Sequence, residues 1–155
     1  MLDTQTHDTL QDILARHDGL EGPLLPILHA VQAEFGFIPG DCLQPIADHL
    51  NITRAEVHGV ITFYHDFRDA PAGRHVVKIC RAEACQAVGG GALSQRAFDK
   101  LGIGWHETTG NGAVTLEPVY CLGLCACAPA AMVDGKVVGR LDGEKLDAIL
   151  KEAGA

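Results

Sequence analysis

Between Arg68 and His75 the apolar residues change their period, so the chain must fold as two kinds of structure in succession. Before the change, apolar positions recur every three or four residues. Leu10, Ile13 and Leu14 share one face of a short helix. In GPLLPILHAVQAEFG, Leu24, Leu28, Val31 and Phe35 follow at spacings of four, three and four. Pro23 suits a first helical turn, where its missing N–H goes unused, and Gly36 suits the C-terminal cap. Asp41 and Gln44 predict a capping box opening a helix through Leu43, Ile46, Ala47 and Leu50. Thr53 and Glu56 predict a second box ahead of Val57, Val60, Ile61 and Tyr64. The expectation for residues 1–70 is a small helical bundle acting as a docking segment, its helices too short to stand apart from what they pack on.

RDAPAGRH, residues 68 to 75, is the linker, with Pro71 and Gly73 as breakers. HVVKIC then reads as a buried strand ending at Cys80. Residues 89 to 101 predict a helix with Leu93, Ala97, Phe98 and Leu101 inward. Val114 and Leu116 alternate with Thr115 and Glu117, which predicts a second strand. AAMVDGKVVG predicts a hairpin, because Asp134 and Gly135 supply the positive φ of a tight turn. Asp142 caps a last helix through Leu146, Ile149 and Leu150. The expected order over residues 75–155 is β-α-β-β-β-α. That is a mixed-sheet α+β or α/β domain with the skeleton of a thioredoxin-like fold.

Six cysteines make the compartment matter. MLDTQTHDTL has no basic n-region and no apolar run, so no signal peptide is expected. No stretch approaches the ~18 apolar residues of a membrane span. The expected setting is cytoplasmic, where thiols stay reduced and serve metals or redox chemistry. Twenty acidic against twelve basic residues give a formal charge of −8, which disfavours nucleic acid.

Cys80 and Cys85 form C-x4-C just beyond the first predicted strand, and Cys121 and Cys125 form C-x3-C just beyond the second. If the two strands are neighbours, both loops leave one sheet edge and four thiols converge. Such a set ligates zinc or an iron–sulfur cluster. Gaps wider than the x2 knuckles of zinc ribbons favour the cluster, whose sulfides enlarge the cage. Gly123 lets the backbone approach closely. The plainer reading is four small buried hydrophobes. A dithiol oxidoreductase would need C-x2-C at a helix N-terminus, and no two of the six cysteines are so spaced.

HVVKICRAEACQAVGG followed by VYCLGLCACAP resembles the thioredoxin-like 2Fe–2S ferredoxin subunits. These include the small peripheral subunit of respiratory complex I and the gamma subunits of soluble NAD-dependent formate dehydrogenases and hydrogenases. LLPILHAVQAEFGFIP and ITRAEVHGVITFYHDF are similar to the helical segment of those subunits, so the resemblance runs from residue 20 to residue 150. CRAEACQ looks most like the formate dehydrogenase gamma subunit. The resemblance implies one 2Fe–2S cluster, with Cys80 and Cys85 on one iron and Cys121 and Cys125 on the other. It implies a non-catalytic electron-transfer subunit beside a flavin-bearing, NADH-binding iron–sulfur subunit, which would carry the FMN and NAD. A large molybdenum- or tungsten-containing subunit would supply the electrons. The equivalent subunit of complex I or of an NAD-linked hydrogenase is the alternative, and a structural zinc module is the rival from another class.

On this resemblance Cys127 falls on a variable place before Ala128-Pro129 and is not a ligand, although a swap with Cys125 stays open. Cys42 reads as a packed free thiol. The eight histidines share no spacing, and His58 and His65, seven apart, are expected on one helix face. Gly89-Gly90-Gly91 lacks both GxGxxG and the GKS/GKT ending, so it reads as close backbone approach at a helix start. Pro129 stands where thioredoxins carry a cis proline.

Overall fold

The computed structural model describes residues 4–154, so Met1, Leu2 and Asp3 of the opening stretch and Ala155 lie outside the described residues. The chain divides into two compact units between Pro71 and Ala72. Among the described residues no helix is long and apolar enough to cross a membrane.

The first unit holds α1 (Thr4–Arg16), α2 (Leu24–Phe35), a 3-10 turn (Gly40–Cys42), α3 (Leu43–Leu50) and α4 (Arg54–Phe63). The expected stripes face one another: Leu10, Ile13, Leu28, Val31, Ile46 and Val57 are almost wholly buried. Gly36 ends α2 at φ 78, where its N–H reaches Gln32 O. The Thr53 box is complete. Glu56 N donates to Thr53 Oγ1 at 3.2 Å, and Thr53 N donates to Glu56 Oε2 at 2.7 Å. Thr53→Ala is expected to cost about 1 kcal/mol, read as a lower thermal midpoint with the helix content of the folded state retained.

The other predicted box does not form. The 3-10 turn winds directly into α3, with Cys42 N on Pro39 O and Leu43 N on Gly40 O, so the first N–H groups already have partners. Gln44 instead donates to Asp48 Oδ1 at 2.7 Å, one turn on. His58 and His65 do not share a helix face either, because α4 ends at Phe63 and Tyr64 leaves it extended at φ −90, ψ 109. Val57 and Ile61 carry the buried face, whereas Tyr64 is exposed.

The second unit holds β1 (His75–Cys80), α5 (Glu83–Ala87), α6 (Gly90–Leu101), β2 (Glu107–Thr108), β3 (Val114–Val119), β4 (Ala131–Val133), β5 (Lys136–Val138) and α7 (Gly143–Glu152). Its five strands form one mixed sheet in the order β2-β3-β1-β4-β5. β1 lies between parallel β3 and antiparallel β4, and Val77, Ile79, Leu116 and Leu146 are fully buried around it. The fold class is the thioredoxin-like α+β expected, with α5 and β2 added to the predicted order. Thr115 and Glu117 of β3 are both buried. They keep partners there: Thr115 Oγ1 accepts Gly73 N at 2.7 Å, and Glu117 lies 3.6 Å from Lys78 Nζ of β1.

The hairpin turns as expected at Asp134 (φ 49) and Gly135 (φ 82). The Asp134 carboxylate accepts Val76 N at 2.8 Å and pairs with His75 Nδ1 at 2.7 Å, which ties the turn to the start of β1. Asp142 accepts Lys145 N at 2.8 Å and caps α7.

Candidate metal centre

The register of β1 on β3 pairs Cys80 with Val119, so both strands end at one sheet edge. Arg81 N then donates to Val119 O at 2.8 Å, and the loops CRAEAC and CLGLC leave side by side. Cys80 closes β1. The chain runs extended at Ala82 (φ −74, ψ 164) and turns into α5, which carries Cys85. On the other loop Cys121 (φ 96) and Gly123 (φ 75) both take the left-handed region, and a 3-10 turn spans Cys125–Cys127. Left-handed backbone is ordinary for Gly123 and uncommon for a cysteine, so the tight loop is imposed at Cys121. Ala128 leaves extended at φ −66, ψ 153, the Ala128–Pro129 bond is cis, and Ala130 O accepts Cys80 N at 3.0 Å.

The four cysteines singled out by spacing meet at this edge as two pairs. Cys121 Sγ and Cys125 Sγ lie 3.8 Å apart, and Gly123 N donates to Cys121 Sγ at 3.4 Å. Burial pushes the Cys80 thiol up, but the Ala82 N–H, the Cys85 thiol and the N–H groups of Cys121 and Leu122 outweigh it and hold it below its ordinary value. Burial and then the Cys80 thiol push Cys85 up against the Ala130 N–H, and Cys125 adds to the effect. Cys125 is raised first by its hydrogen bond with Cys121, and it also feels Cys80. The two pairs therefore sense each other across the loops.

Cys80 and Cys85 are 3% and 2% exposed, whereas Cys121 and Cys125 are exposed. Two exposed thiols do not fit the plainer reading of buried hydrophobes. Ala82, Val119, Leu122, Leu124, Ala128 and Ala130 pack around the buried pair. Among the described residues no three His, Cys, Asp or Glu side chains gather to hold a single ion. Two cysteine pairs with backbone N–H groups aimed at sulfur suit a two-iron group, with two thiolates per iron.

Cys127 packs elsewhere. Its carbonyl accepts Arg140 N–H, and a Cβ built on Gly139 would come within 2.9 Å of Cys127 Cβ. Cys42 lies buried in the first unit, where burial and then Asp41 push its thiol up to about 11, as fits a packed free cysteine. Sequence reasoning missed α5, the N–H donors of Ala82 and Leu122, and Arg81, whose guanidinium sits 5.6 Å from the Trp105 ring centroid. The available sequence sign of α5 was acidic Glu83 in its first turn.

The profile of the thioredoxin-like 2Fe–2S ferredoxin family matches residues 10–154. The E subunit of NADH-quinone oxidoreductase from Mycobacterium bovis is 38% identical over 124 residues, which are 80% of this chain and 49% of the relative. This chain thus spans about half the length of that relative. The second E-type subunit of NADH-quinone oxidoreductase from Rhizobium meliloti is 35% identical over 144 residues, covering 93% of this chain and 86% of the relative. The HndA subunit of the NADP-reducing hydrogenase of Solidesulfovibrio fructosivorans is 33% identical over 132 residues, covering 85% and 77%. The solved NAD+-reducing NiFe-hydrogenase in its air-oxidized state aligns with a TM-score of 0.72 at 23% identity, over 84% of this chain and 22% of the hydrogenase chain, a likeness of fold.

Proposed function

The chain belongs to the thioredoxin-like 2Fe–2S ferredoxin family, and from that premise we propose that Cys80, Cys85, Cys121 and Cys125 hold its one 2Fe–2S cluster. We read the protein as the electron-transfer subunit of an NADH-linked oxidoreductase complex. The observation that carries this reading is the meeting of two cysteine pairs at one sheet edge with N–H groups donating to sulfur.

Bound there, such a cluster supplies reversible one-electron transfer. The chain's own residues fix where that happens. Donors from Ala82, Leu122 and Gly123 stabilise charge on the sulfurs they face, a lever on reduction potential. Leu122, Leu124, Ala128 and Ala130 keep water from the inner pair. Cys121 and Cys125 are exposed and mark the side open to a partner. That partner is read as a flavin-bearing, NADH-binding iron–sulfur subunit carrying the FMN and NAD, docked through the helical first unit. No side chain here acts as acid, base or nucleophile on this reading, and the isolated chain turns over no substrate.

A visible absorption band that bleaches on reduction, with a rhombic EPR signal from the reduced protein, is the expected result for freshly purified chain. Colourless, EPR-silent protein containing zinc and no acid-labile sulfide would establish the structural zinc module instead.

The finer reading is the gamma subunit of a soluble NAD-dependent formate dehydrogenase, supported by CRAEACQ between and beyond the first cysteines. It calls for a large molybdenum- or tungsten-containing partner. Affinity purification from the native cells is expected to bring down that subunit together with formate-dependent NAD reduction. Recovery of quinone-linked or hydrogen-oxidising subunits would place the chain in complex I or an NAD-linked hydrogenase.

A further inference from the structure

Arg81 follows Cys80 in the chain, and its backbone fastens the metal centre. Its N–H donates to Val119 O at 2.8 Å, which joins the two cysteine loops, and its carbonyl accepts Gln86 Nε2 of α5 at 3.4 Å. Its side chain goes the other way. Successive side chains of an extended chain leave on opposite faces. Arg81 therefore follows Ile79, whose core includes Trp105, whereas Cys80 packs with Cys85 and Ala130. The guanidinium rests 5.6 Å from the centroid of the Trp105 ring, and Trp105 is braced edge-on against Phe98 of α6 at 4.9 Å.

That seat is short of partners. Arg81 Nε is buried with no hydrogen-bond partner, the one such side-chain nitrogen or oxygen among the described residues. Arg96 and Lys100 share the Asp147 carboxylate at 2.7 Å each, and Lys78 lies 3.6 Å from Glu117. Among the described residues no ion pair of that kind joins Arg81 to a carboxylate. A guanidinium does not give up its proton in a protein. Arg81 is therefore a permanent charge, partly buried and uncompensated, which is unfavourable unless an anion lies within reach of its field. Borne by adjacent residues on opposite faces, Cys80 Sγ and the guanidinium are on the order of 10 Å apart. Four thiolates and two sulfides around two ferric ions carry two negative charges, and one added electron makes them three. A fixed cation nearby stabilises the second state more than the first.

We propose that Arg81, seated on Trp105, is the fixed positive charge that favours the reduced state of the cluster and so raises its reduction potential. The inference rests on the ligand set proposed above, and Arg81 acts through its field, with no ligand bond and no proton exchanged. The test is a redox titration of the cluster-loaded full chain followed by EPR, with iron and acid-labile sulfide per chain and the thermal midpoint recorded for each variant. In Arg81→Gln the reduced-to-oxidised ratio at a fixed potential is expected to fall about tenfold, which lowers the potential by about 59 mV for a one-electron couple. Arg81→Lys keeps the charge and is expected to keep most of the potential. Arg140→Gln is the control. That residue is exposed and its N–H holds the Cys127 carbonyl, so water and salt screen its side chain and the potential is expected to stay at the natural value. Trp105→Leu, which leaves the charge but removes its seat, is the second variant should Arg81→Gln lose its cluster, and it is expected to lower the potential by less. Equal potentials in the natural chain, Arg81→Gln and Trp105→Leu would overturn the proposal and leave the function standing. So would a loss in Arg81→Lys as large as in Arg81→Gln, which would make the shape of the guanidinium and not its charge the cause. An equal loss in Arg140→Gln would assign the effect to the overall charge of the chain, again against the proposal. A natural chain that takes up no cluster would overturn the function, and this inference with it.

Discussion

Cys125→Ser is expected to emerge from purification with little cluster, whereas Cys127→Ser keeps a full one. The two thiols are separated by one residue, yet their surroundings differ. Cys125 Sγ lies 3.8 Å from Cys121 Sγ, and it interacts with both Cys121 and Cys80. Cys127 belongs to the strand side of the same turn, anchored through Arg140 N–H and packed on Gly139. Losing groups that merely orient a metal ligand costs about 10–100-fold in affinity, so losing a ligand costs more. Iron and acid-labile sulfide per chain are the measurement, with the bleachable absorption band as the check that what remains is the same cluster. Because metal binding and folding are coupled, Cys125→Ser is also expected to unfold at a lower temperature. The opposite pattern, with Cys127→Ser empty and Cys125→Ser loaded, would exchange their roles and undo the assignment.

The same pair shows where sequence was enough and where it was not. Two loops following strands could be placed at one edge from HVVKIC and the run around Val114, because a parallel neighbour relation puts both C-terminal ends together. The β1–β3 register then fixes how closely, with Cys80 opposite Val119. Asp134-Gly135, Asp142 and Thr53 announced their turn and caps because each works through its own backbone neighbours, and local chemistry reads directly from local sequence. The failures involve something farther away. Gln44 chose Asp48 because the turn ahead of α3 had already satisfied the N–H groups it might have helped. Burial of Thr115 and Glu117 relies on partners far off in sequence, Gly73 N and Lys78 Nζ, which alternation alone does not announce. The left-handed Cys121 has no sequence sign at all, since the loop and not the residue demands it. A short helix such as α5 falls below any useful period, so the element carrying Cys85 stayed hidden inside a spacing.

That hidden element makes Gly90→Ala a damaging small change in the second unit. A methyl group at residue 90 would stand 2.7 Å from Cys85 O and 3.0 Å from its carbonyl carbon. Both atoms are backbone, so no side chain can swing away, and either α5 or the start of α6 must move. Overpacking of this kind costs about 1–3 kcal/mol, and here it displaces the residue proposed to hold iron. Gly91 is the matched control. Its Cβ would meet only the end of the Gln86 side chain at 3.5 Å, an ordinary contact. Gly91→Ala therefore keeps the helix-forming gain of about 0.4–1 kcal/mol without the collision. Neighbouring, chemically identical substitutions should then move the thermal midpoint in opposite directions. Gly90→Ala should also lower iron and sulfide per chain, while Gly91→Ala leaves both at the natural level. Equal midpoints and equal cluster content in the two variants would mean that α6 does not press on the Cys85 loop. The triple glycine would then have no role in holding the site, and the case for Cys85 as a positioned ligand would rest on Cys80, Ala130 and Cys125 alone.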